Sequence, residues 1–429
     1  MCENRCESHI KIYCFITIYS SVIMSKIYIE GQWYDIAEFI KRHPGGNIIK
    51  SYIDQDATSV FREMHYRSKR ATKVLQSLPI IESTEKPLVE SNPNMLIDFD
   101  RWRFTLQERG FFRPSKSHAT YRIIELICIF AFASWLISLD AITYKLLAVF
   151  VYGIFGGRCG WVQHEAGHRS FTGELKLDDI IQKATIGFGL LTSGPMWNSM
   201  HNKHHATTQK LGHDMDLDTM PFVLFHPQAI RSNSFVSQWW LRFQAWTFLP
   251  ITSGIFVMLF WIYYLHPRKI IRDKDYVQGF FTLLGHIYRT YVIHKMTGYS
   301  YLHSYLWLMS CMYVSGIYLF GHFSTSHTFM PVVQQNENPT WVEYSLNYTV
   351  DIDTQNPVVS WIMGYLNCQC VHHLFPQMPQ FRQPEVSREL AVFAKKWNLN
   401  YNQIGYFEAW YLTLRNLNHV GNTFEHVYI

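Results

Sequence analysis

From Ile123 to Leu139, and again from Ala141 to Gly157, the chain is almost wholly apolar, with Asp140 between the two runs and Glu125 near one end. A spanning helix needs ~20 predominantly apolar residues and satisfies its own backbone, so the pair predicts a helical hairpin through a bilayer. Further apolar segments run from Trp246 to Leu265, Val277 to Ile293 and Tyr301 to Phe320. The middle one carries His286, Arg289 and His294 and follows the charged run HPRKIIRDKD, a pattern that predicts a helix lying on the membrane surface. Near the start, YCFITIYSSVIM is apolar over only twelve residues, too short to span and signal-like in length.

The polar stretches divide the chain. Met24 opens a mixed segment, SKIYIEGQWYDIAEFIKRHPGG, that reads as the start of a folded domain with short strand-like and helix-like pieces. STEKPLVESNPNM then reads as a linker, being rich in Pro, Ser and charge. The expected organisation is a dispensable extension over 1–24, a small α+β domain over 25–95 and a mostly α-helical membrane domain over 96–429.

Composition agrees with a mixed protein. Hydrophobic residues make up 48% of the chain and aromatics 16%, high for a purely soluble protein. The mean hydropathy of -0.07 is nevertheless too low for burial in lipid throughout. The net charge of +5 comes from scattered Lys and Arg, which excludes a nucleic-acid footprint and suits an anionic membrane surface. Eight cysteines include no C-x-x-C pair, so structural disulfides and a thiolate metal site are not expected. Histidine changes the picture most, because many of its 21 copies fall into tight clusters.

His43-Pro44-Gly45-Gly46 precedes a helical-looking segment, and His65 follows in VFREMHYRSKRA. Two imidazoles can hold a haem iron from opposite faces, while glycines let the backbone pass close to the porphyrin edge. Taken singly, the tetrapeptide reads equally as a turn before a helix and His65 as a surface residue.

Three clusters lie near the ends of apolar segments: His164-Glu165-Ala166-Gly167-His168, His201-Asn202-Lys203-His204-His205 and Gln369-Cys370-Val371-His372-His373. On a helix, their i, i+3 and i+4 spacings place the side chains on one face. Histidines have no packing reason to gather at the end of a span unless they bind something. Seven imidazoles and one amide exceed what one ion requires once an open position is left, which implies two ions. Imidazole suits iron, and a haem in the same chain favours a redox metal over zinc. The first cluster also reads as H-E-x-x-H, the zinc metalloprotease signature with Glu165 as general base.

For the clusters to meet, the chain between His205 and Gln369 has to cross the membrane an even number of times. Three apolar segments intervene, so one lies on the surface, with Val277–Ile293 the weakest of them. Four spans then leave the clusters and the haem pair on one side, expected to be cytosolic.

Residues 25–95 resemble a cytochrome b5 domain, with His43 and His65 as the implied axial ligands. The three boxes, their order and the fused haem domain resemble the front-end fatty acid desaturases. The stretches GRCGWVQHEAGH, WNSMHNKHHATTQKLGHDMDLDT and LNCQCVHHLFPQMPQFRQPEVSRELAVFAKKWNLNY look particularly like the acyl-CoA Δ6 desaturases of small green algae. The resemblance implies two irons surrounded by His164, His168, His201, His204, His205, His322, Gln369, His372 and His373, with His327 as the lesser substitute for His322. It further implies haem b, O2 as co-substrate, NADH acting through cytochrome b5 reductase, and an endoplasmic reticulum membrane location.

The implied activity is Δ6 desaturation of a fatty acyl chain carried on CoA or phospholipid, with Δ5 next and a sphingolipid Δ8 desaturase as the alternative. Asp214, Asp216 and Asp218 read equally as groups that orient imidazoles and as loop caps. Trp161 and Trp197 read as interfacial aromatics more readily than as an acyl-tunnel lining.

Overall fold

The structure, a computed structural model, describes residues 25–85, 87, 92–217, 222–229 and 235–423; the extension over 1–24 and Asp218 lie outside them. The first unit is small. Strands β1 (Lys26–Ile29), β2 (Gln32–Asp35) and β3 (Ile80–Ile81) form an antiparallel sheet in that order, with Ile27 opposite Tyr34 and Trp33 opposite Ile81. Its inward residues pack with Ile36, Ile40, Ala57 and Leu75 into a core of its own. A 3-10 stretch (Gly46–Tyr52), α1 (Thr58–His65) and α2 (Lys69–Gln76) complete the unit.

The boundary inferred from composition at residue 95 falls inside a helix. In α3 (Pro93–Glu108), started by the Asn92 side chain accepting from Asn94 N, Met95 and Phe99 pack against Phe375 and the third-box segment. Helix α3 thus shares its core with the third-box segment. Val60, Met64 and Tyr66 of the first unit lean on the same core, and a buried Arg103–Glu63 ion pair crosses between the units.

Helices α4 (Lys116–Ile137) and α5 (Ile142–Gly167) form the expected hairpin, but α5 continues into the first box, with His168 as its C-cap. Next come α6 (Leu175–Leu190) and α7 (Gly194–Ala206), an apolar helical run α8 (Gln244–Asp273), then α9 (Tyr276–Thr297) and α10 (Tyr301–Ser324). By length and composition α4, α5, α8 and α10 are each capable of crossing a membrane. Helix α5 packs tightly on α10 because small residues line its face: a Cβ on Gly157 would sit 1.8 Å from the Tyr318 ring, and one on Gly160 2.6 Å from Leu319.

The expectation that Val277–Ile293 lies alone on the surface is not met. Asp275, just ahead of α9, pairs with Lys183 on the side that bears the boxes. At the other end, Tyr299 accepts a hydrogen bond from Lys145 of the first turn of α5, beside the far hairpin turn. So α9 runs the depth of the bundle and α10 returns, joined by Gly298 at φ +71° and by Ser300, whose side chain caps α10. Helix α8 starts on the box side, where Gln244 donates to Leu417 O, dips to Tyr305 of α10 through Tyr263, and comes back to Ser193, just ahead of the second-box helix, whose N–H donates to His266.

The even-crossing requirement holds with the roles of α8 and α9 exchanged. Hydropathy misread α9 because its polar groups face protein: Arg289 is buried and donates to Gly189 O at 2.7 Å.

The box-side cap is completed by α11 (Trp341–Asn347), α12 (Gln369–Leu374), α13 (Gln383–Trp397), α14 (Tyr406–Asn422) and a two-stranded parallel pair, β4 (Asp351–Ile352) with β5 (Gln403–Ile404). The five described cysteines are all free.

Candidate metal centre and haem site

Each box lies on a helix, and each helix is positioned for a local reason. The first ends α5, held by the α5–α10 packing; the second fills the last turns of α7, which Pro195 starts; the third is α12, which packs against α11 and α13 beneath the aromatic cluster of Phe99, Trp102 and Phe375. The three converge at the box-side end of the bundle. All seven box histidines are buried.

His164, His168, His201, His205 and His372 form one group, and His204, His327 and His373 a second, their ligating nitrogens within 4.8 Å of one another in each group. The His201 Nε2 lies 2.9 Å from His164 Nε2 and 3.0 Å from both His168 Nε2 and His205 Nε2. A neutral imidazole has a single N–H, so these contacts cannot all be hydrogen bonds. With metal–nitrogen distances of about 2.1 Å, cis ligands lie about 3.0 Å apart, which is the spacing found.

Burial, with the neighbouring rings adding to it, holds His201, His205, His372 and His373 well below the usual histidine range, so their lone pairs are available. Burial and then Arg169 push His168 down to about 3.

The second group fixes its tautomers from outside. His204 Nδ1–H donates to Asp214 at 3.0 Å, with Asp216 at 3.4 Å. His327 Nδ1–H donates to Tyr348 O at 3.2 Å. Thr208 Oγ1 donates to His204 O and so accepts from His373 Nδ1–H at 3.1 Å. In all three rings Nε2 is left as the lone pair facing the centre. Burial alone would lower His204, but Asp214 and Asp216 raise it to about 9; they favour positive charge at this ring, which a cation at Nε2 also supplies.

Gln369 joins this group, its amide 2.8 Å from His327 Nε2 and its Oε1 buried without a partner. His372 likewise has neither nitrogen bonded. These orphaned donor atoms fit two metal ions, one to each group.

His322 does not join the cluster. Its ring is held between Tyr318 O at 2.6 Å and the Tyr406 hydroxyl at 2.9 Å, inside the α10 helix. Five residues later, the turn after α10 delivers His327 instead, 4.7 Å from His204 and 5.0 Å from His373 between ring centroids. Helical periodicity carries His322 to another face, a distinction invisible in the spacing HFSTSH.

Gln380, which sequence reasoning did not single out, bonds His164 Nδ1 at 2.7 Å, and its backbone N–H donates to Glu165 at 3.0 Å. Glu165 therefore points away from the cluster, toward Gln380 and Arg122, and has no general-base position over a zinc-bound water. The metalloprotease reading fails on that geometry.

Asp214 satisfies both readings offered for it, since it also accepts from Gln209 N and Asp216 N. Trp197 stacks on His201 at 4.2 Å and lines an apolar cavity on the membrane side of the centre, with Ile186, Leu190, Met258, Trp261 and Phe323. Trp161 is a buried packing residue that donates to Ile362 O. Neither tryptophan belongs to an interfacial belt.

In the first unit His43 and His65 face each other with ring centroids 6.3 Å apart. Two imidazoles on one iron, each nitrogen about 2.0 Å from it and about 1.15 Å from its ring centre, require about 6.3 Å. His43 Nδ1–H donates to Gly46 O at 3.3 Å and His65 Nδ1–H to Phe61 O at 3.1 Å, so both present Nε2 lone pairs. A Cβ on Gly45 would lie 2.8 Å from the His43 ring, so only glycine fits beside the ligand. These residues fit a haem.

Comparison with known proteins agrees on both units. Residues 141–405 match the family described as fatty acid desaturase, and residues 25–82 match the cytochrome b5-like haem/steroid binding domain. The chain is 39% identical to an acyl-lipid (8-3)-desaturase of Rebecca salina, over 91% of this chain and 90% of that protein. It is 38% identical to an acyl-lipid (8-3)-desaturase of a Thraustochytrium species, over 92% of each. A Delta(6)-fatty-acid desaturase of Caenorhabditis elegans is 26% identical over 93% of this chain and 96% of its own length.

Proposed function

The chain belongs to the fatty acid desaturase family, as a front-end desaturase with a cytochrome b5-like domain fused ahead of the desaturase domain, and on that premise we propose that it desaturates a lipid-linked fatty acyl chain at a haem-fed, two-iron histidine centre. The observation that carries the proposal is the convergence of eight histidines and Gln369 into two adjoining donor groups, with the haem pair in the same chain.

The assigned ligands are His164, His168, His201, His205 and His372 for one iron, and His204, His327, His373 and Gln369 for the other; His43 and His65 are assigned to haem b. When bound, the irons supply the oxygen-dependent chemistry that removes hydrogen from unactivated methylenes. The protein's own residues position and exclude. Asp214, Thr208 and the Tyr348 carbonyl hold the Nδ1 protons of the second group, while Gln380 holds His164.

Trp197 and the small apolar cavity beside it, about 20 Å³, wall the membrane side of the centre against water, and an acyl chain reaching the centre by this route would have to part these side chains. No side chain in that cavity offers acid or base chemistry to a methylene, so selectivity rests on depth of insertion. NADH as the electron source through a reductase, and a cytosolic face of the endoplasmic reticulum for the boxes, complete the reading.

Regiochemistry is read from the relatives' names. Those at 39% and 38% identity are acyl-lipid (8-3)-desaturases, whereas the relative named Delta(6) stands at 26%. We therefore favour the (8-3) specificity and a lipid-linked chain over the Δ6 acyl-CoA activity that the sequence motifs suggested. Yeast expressing the chain, fed 18-carbon and 20-carbon polyunsaturated acids, should accumulate a product with one more double bond on the carboxyl side. Gas chromatography with mass spectrometry locates that bond: a Δ6 product overturns the specificity, a modified sphingolipid base overturns the substrate, and no new double bond overturns the activity.

A further inference from the structure

Both segments that carry the haem-pair histidines are tied by hydrogen bonds to the segments that carry the second and third boxes. Gln377 lies four residues beyond His373. Its amide Nε2–H donates to Met64 O at 2.7 Å and its Oε1 accepts from Arg67 N at 3.2 Å, so one side chain straddles His65. Only a primary amide offers a donor and an acceptor at that spacing. Arg67 returns the contact, donating to Phe112 O at 2.6 Å and to Gln377 O at 3.3 Å.

Tyr52, the last residue of the 3-10 stretch that follows His43, donates from its hydroxyl to Ala206 O at 2.6 Å, next to His205. Gln377 is buried and Tyr52 partly so; one contact brackets His65 and the other holds the segment that follows His43.

We propose that Gln377 and Tyr52 are positioning residues that dock the haem domain in register for electron transfer within one chain, an inference that rests on the haem-fed reading above. In each transfer one electron leaves the haem iron, oxidised from ferrous to ferric, and one iron of the histidine centre is reduced from ferric to ferrous. Two transfers reduce both irons, with the reductase and NADH restoring the haem. One connection from His65 runs through the Met64 carbonyl, the Gln377 side chain and four residues of backbone to His373. Breaking a buried hydrogen bond that fixes the docked arrangement lowers its population without touching a ligand.

The test uses the full-length loaded protein with Gln377→Glu, which keeps shape but loses the donor, and with Tyr52→Phe, which loses only the hydroxyl. Haem and iron contents and the haem absorption spectrum are expected to match the parent. After stoichiometric reduction and addition of substrate and oxygen, haem reoxidation is expected to slow about tenfold in each variant. A small redox mediator that bypasses the haem should restore product formation to the parent level. Amide hydrogen exchange in the metal-free protein supplies a second readout, with protection of Arg67 N–H expected to fall in Gln377→Met, which removes the acceptor as well as the donor.

Reoxidation unchanged in both variants overturns the proposal, as does exchange at Arg67 unaffected by Gln377→Met. A parent whose haem is not reoxidised by substrate and oxygen overturns the desaturase reading instead, which separates the two failures.

Discussion

His322 and His327 illustrate what a single residue's neighbours decide. Both sit in YLFGHFSTSH, yet one is committed to Tyr318 and Tyr406 while the other turns its Nε2 to Gln369. His327→Ala is therefore expected to lower bound iron by about one per chain and desaturation by about tenfold or more, whereas His322→Ala retains both irons. Iron analysis of the two purified variants checks the contrast, and loss of iron from His322→Ala alone would reverse the assignment. Asp214 acts through His204, so Asp214→Ala is expected to weaken iron binding by about 10–100-fold with every ligand in place, measured by competition with a chelator. The boxes themselves were legible in the sequence because i, i+3 and i+4 spacing fixes a helical face. Gln380 and Thr208 were not, because each reaches its histidine from another segment of the chain.

At the scale of elements, the sequence correctly signals a hairpin of α4 and α5 and a return through α10, and it misassigns α8 and α9. Mean apolarity ranks α8 above α9, but a helix whose polar face packs on protein can carry Arg289 against the Gly189 carbonyl while Phe280, Leu283 and Ile287 stay exposed on its other face. Both ends of α8 belong to the box side. In sealed vesicles, a cysteine replacing Arg272 is expected to react with an impermeant thiol reagent from the same side as the haem domain, and one replacing Tyr301 from the opposite side. Labelling of both positions from the far side would restore the topology in which α8 crosses.

At the scale of the whole molecule, the histidine centre sets how stability follows pH once metal is chelated away. His168 and His327 are pushed down to about 3 by burial, so below the unfolded value of ~6.5 the unfolded chain binds protons that the folded one refuses, and stability falls as pH falls. His204, raised to about 9, contributes stability that is complete below ~6.5 and lost as pH rises through its folded value. From these groups the melting temperature of the chelated protein is expected to peak near pH 7; a midpoint that climbs steadily on acidification would contradict the buried, neutral state of the boxes.

The two-unit plan was visible from composition. The docking was not, because it depends on single contacts such as Gln377 with Met64, between positions far apart in sequence. A haem pair and two histidine groups share one protein, and stoichiometry tests that union most directly. Iron, zinc and haem measured together on the purified full-length chain should give one haem and two non-haem irons per chain, with little zinc; zinc in place of iron, or a single non-haem metal, would contradict it.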